Sequence, residues 1–108
     1  MALWDGAAMT KLSPKAMRFV DIAIRDMGPR EKAVWAQVPH DPTKQLSVEA
    51  AEVALAALGQ FESLVRRRLS AARSEDEISD LSNDLGFICA IERDLNKGLA
   101  KKRHSHGT

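Results

Sequence analysis

Few residues in this chain could do chemistry, and two glutamates stand out among them. Glu62 falls between Leu58 and Val65, and Glu92 between Ile88 and Leu95, each inside an apolar repeat of helical spacing. A buried carboxylate without a partner costs several kcal/mol or keeps its proton. Carboxylates that project into a bundle from two helices can also bind a pair of metal ions, but that motif carries a histidine three residues on. Val65 and Leu95 stand in those places, so no metal is expected. The spacing instead predicts glutamates at the edge of the stripe, with Arg66 one turn beyond Glu62 as a partner.

The other reactive groups are scattered. His40 stands beside Asp41, and His104 and His106 fall near the C-terminal end, with no cysteine or carboxylate spaced to complete a metal site. Cys89 is the single cysteine, so no internal disulfide forms, and its place on the flank of an apolar stripe suits a small apolar side chain. A nucleophile would need Cys89 or a serine within reach of His40. The chain has no glycine-rich phosphate loop, no paired-cysteine zinc motif and no H-E-x-x-H. The expectation is therefore no enzyme, no cofactor and no metal.

Charge gives two further candidates. Arg66, Arg67, Arg68 and Arg73 are followed directly by Glu75, Asp76, Glu77 and Asp80. Basic groups at a helix C-terminus and acidic groups at the next N-terminus both complement the helix macrodipole, so the two sets are expected to face each other across a turn. As an alternative, the four arginines and the basic tail of Lys101, Lys102 and Arg103 form a nucleic-acid site. A net charge of +1 argues against that alternative, since such binders are usually far more basic. The second candidate is a stripe of Asp80, Asp84, Phe87, Ile91 and Asp94 at four-and-three spacing. It could dock a basic protein, with Phe87 as the buried anchor and Asp80, Asp84 and Asp94 for steering. Its structural counterpart has Phe87 packed on the first helix and the acids in solvent.

These groups need elements to hold them, and the elements read as helices throughout. The first twelve residues, with Leu3, Trp4, Met9 and Leu12, form an arm. Ser13 and Pro14 then start a helix whose stripe is Ala16, Met17, Val20, Ala23, Ile24 and Met27. Gly28 and Pro29 stop it and open a short helix through Trp35, before a loop at 39–42. The stretch around Gly28 invites comparison with a helix-turn-helix. It departs from that motif at Pro29, at Ile24 where alanine is usual, and at Arg30 and Glu31 opening the second helix.

Ser47 caps a long helix to about Ala72, and Ser74 with Glu77 forms a capping box for a last helix to about 100. So short a turn forces an antiparallel hairpin. Folding about Arg73 pairs Leu69 with Ile78, Val65 with Leu81, Leu58 with Ile88 and Ala51 with Leu95. The predicted fold is all-α: a small bundle built on this hairpin, with the N-terminal helix and the short helix packed across it. It forms one domain, with an arm at 1–12, a helical body at 13–100 and a flexible basic tail at 101–108.

With 44% apolar and 29% charged residues the composition is globular, and no apolar run approaches the roughly 20 residues that span a bilayer. Asp5 and Gly6 interrupt the opening apolar residues, so a cytoplasmic, bacterial-type protein is expected. Val53, Ala57 and Leu64 give the 47–72 helix a second apolar stripe, and Trp4 and Trp35 add large surfaces. Both features suggest self-association. The expected function is non-enzymatic protein–protein interaction, as a homodimer or with a basic partner. In being small, helical and acid-faced the chain resembles bacterial immunity proteins and antitoxins at the level of general architecture, and an adaptor subunit fits equally.

Overall fold

The computed structural model describes residues 11–39 and 46–107, the last seven by backbone alone. Among these residues there are helices α1 (Pro14–Ile24), α2 (Pro29–Ala36), α3 (Val48–Ala71) and α4 (Glu75–Gly107), and no strand. The long helices α3 and α4 form the antiparallel hairpin, and α1 and α2 pack across it. The arm to residue 10, with Trp4, and His40 with its loop lie outside the described residues, as do the side chains of His104 and His106. No helix of the described residues is long and apolar enough to cross a membrane.

Local chemistry sets the helix starts. Ser13 Oγ accepts the Ala16 N–H, Ser47 Oγ the Ala50 N–H and Ser74 Oγ the Glu77 N–H, each at 3.1 Å. Each such cap stabilises its helix by about 1 kcal/mol relative to alanine. Pro14 and Pro29 stand at first-turn positions, where a missing N–H leaves nothing unpaired. At the other end α4 continues to Gly107, past the expected stop near residue 100. No proline interrupts it, and Lys101, Lys102 and Arg103 fall near the C-terminus, where the macrodipole favours positive charge.

Leu58, Ile88, Leu95 and Val20 are the largest fully buried side chains. Ala50, Ala51, Ala54 and Ala57 are buried along α3, and their small size lets its neighbours approach closely. Two features expected to serve association are used internally. Trp35 is 3% exposed, and its Nε1–H donates to Asp21 Oδ1 at 2.7 Å, which ties α2 to α1. On the second α3 stripe Ala57 is fully buried, Val53 and Leu64 are half-buried, and Leu64 lines the same cleft as Ala23 of α1. The N-terminal helices thus take up part of that stripe within the chain.

The hairpin register also differs from the tight fold about Arg73. Ile78 is 42% exposed instead of closing over Leu69, and Leu81 borders Arg68 and Ala71. Glu62, which the tight register sets opposite Asp84, lies against Cys89 and Glu92. The cause is the connection. Ala72 is extended, with φ −67° and ψ 141°, and no residue from 72 to 74 is helical. Extended backbone advances about 3.3 Å per residue against about 1.5 Å in a helix. It therefore carries the start of α4 past the end of α3, and residues 73–80 are all exposed. Leu58, Ile88, Ala51 and Leu95 remain in the core despite the slip.

The partly buried hydrogen bond between Trp35 and Asp21 gives a direct test of how α2 is held. Trp35→Phe keeps most of the ring volume and leaves the Asp21 carboxylate without its indole donor. Urea unfolding should show a loss of about 1.5–3 kcal/mol, the usual worth of a hydrogen bond to a charged group.

Candidate functional site

The slipped register brings four reactive side chains together between the long helices. Glu62 and Arg66 are one turn apart on α3, and Cys89 and Glu92 are three residues apart on α4, so each pair shares a helix face. Ligating atoms of Glu62, Cys89 and Glu92 all lie within 4.8 Å of one another. Arg66 Nε–H donates to Glu62 Oε2 at 2.8 Å, with 58% of the arginine side chain exposed and 23% of the glutamate. The expected pairing of Glu62 with Arg66 is therefore present.

Two carboxyls this close cannot both ionise cheaply. Burial pushes Glu92 up, hydrogen bonding with Glu62 and the Glu62 charge push it further, and the Arg66 charge offsets only part, leaving it at about 7. Glu62 is held below its ordinary value, first by its hydrogen bond with Glu92 and then by Arg66. Arg66 is in turn raised by Glu62. The pair thus shares one proton up to about pH 7.

A thiol and two carboxyls would also be a plausible ligand set for a zinc-like ion. The Arg66 guanidinium already occupies a Glu62 oxygen, and its charge opposes a second cation, so the geometry favours the proton. The sequence reading missed this cluster. Its signal was the Cys89 and Glu92 spacing, which becomes informative only once the register is known.

The acidic stripe has a different fate. Phe87 is half-buried, with its ring stacked on Phe19 of α1 at 4.8 Å between centroids and 28° between planes. Phe19 also meets Phe61 at 6.4 Å, and Lys15 Nζ stands 4.7 Å from the centroid of Phe87. All three phenylalanines of the chain therefore form one cluster where α1 crosses the hairpin. Ile91 is 4% exposed. Asp80 and Asp94 are exposed and Asp84 is half-buried. Asp80, Asp84 and Asp94 share a helix face with Phe87, but the aromatic between them is already engaged by Phe19 and Lys15.

The arginine cluster is likewise divided. Arg66 pairs within α3 and not across the turn, while Arg67, Arg68 and Arg73 are exposed. Of the acids that open α4, Glu77 lines a shallow cleft with Arg68 and Ala71.

The carboxyl pair makes stability depend on pH with a definite sign. Glu92 is raised above its unfolded value, so its contribution is complete below about pH 4.5 and is lost as pH climbs through 7. Glu62 is lowered, so its contribution is lost as pH falls below 4.5. Thermal unfolding should therefore be best between these limits. Glu92→Gln should remove the decline toward pH 8 and raise the midpoint there by about 4 °C, as about 1 kcal/mol does after solvent screening of a half-exposed group. No protein-family model matches the chain, and searches of curated proteins and of solved structures find no match.

Proposed function

We propose that this chain acts by binding protein rather than by catalysis, as an all-helical module that associates with itself or docks a partner. One observation carries the reading: α1 and α2 cover only one side of the hairpin. Phe61 and Phe87 face α1 on that side, and helical spacing sets Leu55, Leu69, Ile78, Leu85 and Cys89 on the other, with none of them fully buried among the described residues. An apolar lane of this kind, running between polar edges, is a feature of interaction surfaces. The reactive groups on it share a proton and are closed on one side by Arg66, an arrangement that serves packing and specificity better than turnover. Immunity-like, antitoxin-like and adaptor roles all fit such a module.

A basic protein partner on Asp80, Asp84 and Asp94 is supported less, because Phe87 is stacked on Phe19. Its ring is a packing element, and Phe87→Ala should cost about 2–4 kcal/mol of stability through the space it leaves. An anchor used for docking would give the opposite, a loss of binding with stability kept. A nucleic-acid role draws on the exposure of Arg67, Arg68 and Arg73, though Glu75, Asp76 and Glu77 lie directly beside them.

Sedimentation of the full chain and titration with duplex DNA and RNA separate these readings. The module reading expects no nucleic-acid binding of steep salt dependence, and its self-associating form expects a mass that rises from low to tens of micromolar protein. A constant monomer mass with binding that collapses between low and moderate salt would replace it by the nucleic-acid reading.

A further inference from the structure

The hairpin face that the described residues leave uncovered has a centre, two flanks and a flat spot, and together these identify what fits it. At the centre are Glu62, Arg66 and Glu92. On either side along the lane are the half-buried Leu55, Leu69 and Leu85 and the exposed Ile78. Gly59 lies one turn before Glu62 on the same side of α3, and a Cβ built there meets nothing within 4 Å. Glycine inside a helix costs about 1 kcal/mol against alanine, and no contact among the described residues calls for it here. Its missing side chain leaves room for the close approach of another helix.

We propose that this face is a two-fold interface with a second copy of the chain, in which the two hairpins stack into a four-helix layer. This rests on the reading of the chain as an interaction module and names its partner and surface. The charges complement themselves: the face carries a cation, Arg66, with Glu62 and Glu92 beside it, so a two-fold axis brings the arginine of each copy toward the carboxyls of the other. Arg66 is 58% exposed and so has the reach. A proton held between Glu62 and Glu92 keeps the centre near neutral, which lowers the cost of enclosing it.

The size also suits. From Val48 to Leu69 the lane is about 32 Å long, and two helices are about 20 Å wide. That gives roughly 600 Å² per copy and about 1,200 Å² in total, the lower bound of a stable interface. Isologous packing closes the assembly at two, and the outward sides of α1 and α2 remain free.

Gly59→Arg tests the proposal without endangering the fold. A Cβ at this position meets nothing within 4 Å among the described residues, and arginine adds helix propensity, so the thermal midpoint should rise or hold. In the dimer it stands between the two hairpins and should weaken association at least tenfold by sedimentation. Asn83→Arg, at an exposed position elsewhere on α4, should leave association unchanged. The lone thiol gives a second readout: Cys89 should react more slowly with maleimide as wild-type concentration rises, and Gly59→Arg should abolish that protection.

A dimer of unaltered strength in Gly59→Arg would overturn this face while leaving the module reading intact. A wild-type monomer at all concentrations would overturn the second copy as occupant. If Cys89 then still resisted labelling, the face would belong to another part of the same chain. If it reacted freely, the face would be left to a foreign protein.

Discussion

The three residues that join the two long helices govern what the rest of the molecule looks like. Ala72 is extended and none of the three is helical, so the second helix starts beyond the end of the first, and its opening turns are exposed. The same slip slides Cys89 and Glu92 along α4 until they meet Glu62 and Arg66. A tight turn would have set Glu62 opposite Asp84. One backbone feature therefore fixes both the exposed Ile78 at the tip and the shared proton at the centre of the open face.

The hairpin has two sides with contrasting chemistry. On one, Phe19, Phe61 and Phe87 cluster, Trp35 is pinned by Asp21, and the alanines of α3 let α1 close in. On the other, leucines are left half-buried around a polar centre. Burial supplies the stability of the first side, whereas the second carries the chain's one cluster of interacting carboxyls among the described residues. A polar group enclosed between helices is costly for stability, and its best-attested use is to fix the register of the helices that meet around it. Glu62 and Glu92 are only half-buried and Arg66 is exposed, so these groups would take that role only if the proposed second copy enclosed them.

Helix existence was legible in the sequence because its determinants are local. The serine caps at 13, 47 and 74 and the prolines at 14 and 29 act within a single turn, and the structure places each as expected. The all-helical hairpin with two helices across it followed from the apolar spacing. Register was not legible. The pairs Leu58 with Ile88 and Ala51 with Leu95 are apolar in several alignments, so apolar matching does not distinguish a tight turn from an overhanging one. The direction of the second α3 stripe was equally undetermined, since Val53, Ala57 and Leu64 could cover a neighbouring chain or the chain's own N-terminal helices. Of the site, the pairing of Glu62 with Arg66 was visible as a one-turn spacing. Cys89 joined it only through three-dimensional alignment.

The slipped register and the open face share one spectroscopic signature. Carbon-detected NMR of the glutamate side chains, followed from pH 3 to 9 on the full chain, would report each carboxyl separately. The account predicts that Glu92 titrates at about 7 and Glu62 below its ordinary value, because the two carboxyls hold a proton between them beside Arg66. If both titrated together in the ordinary glutamate range, the carboxyls would not be in contact. The long helices would then meet in a different register, and the polar centre of the face would not exist.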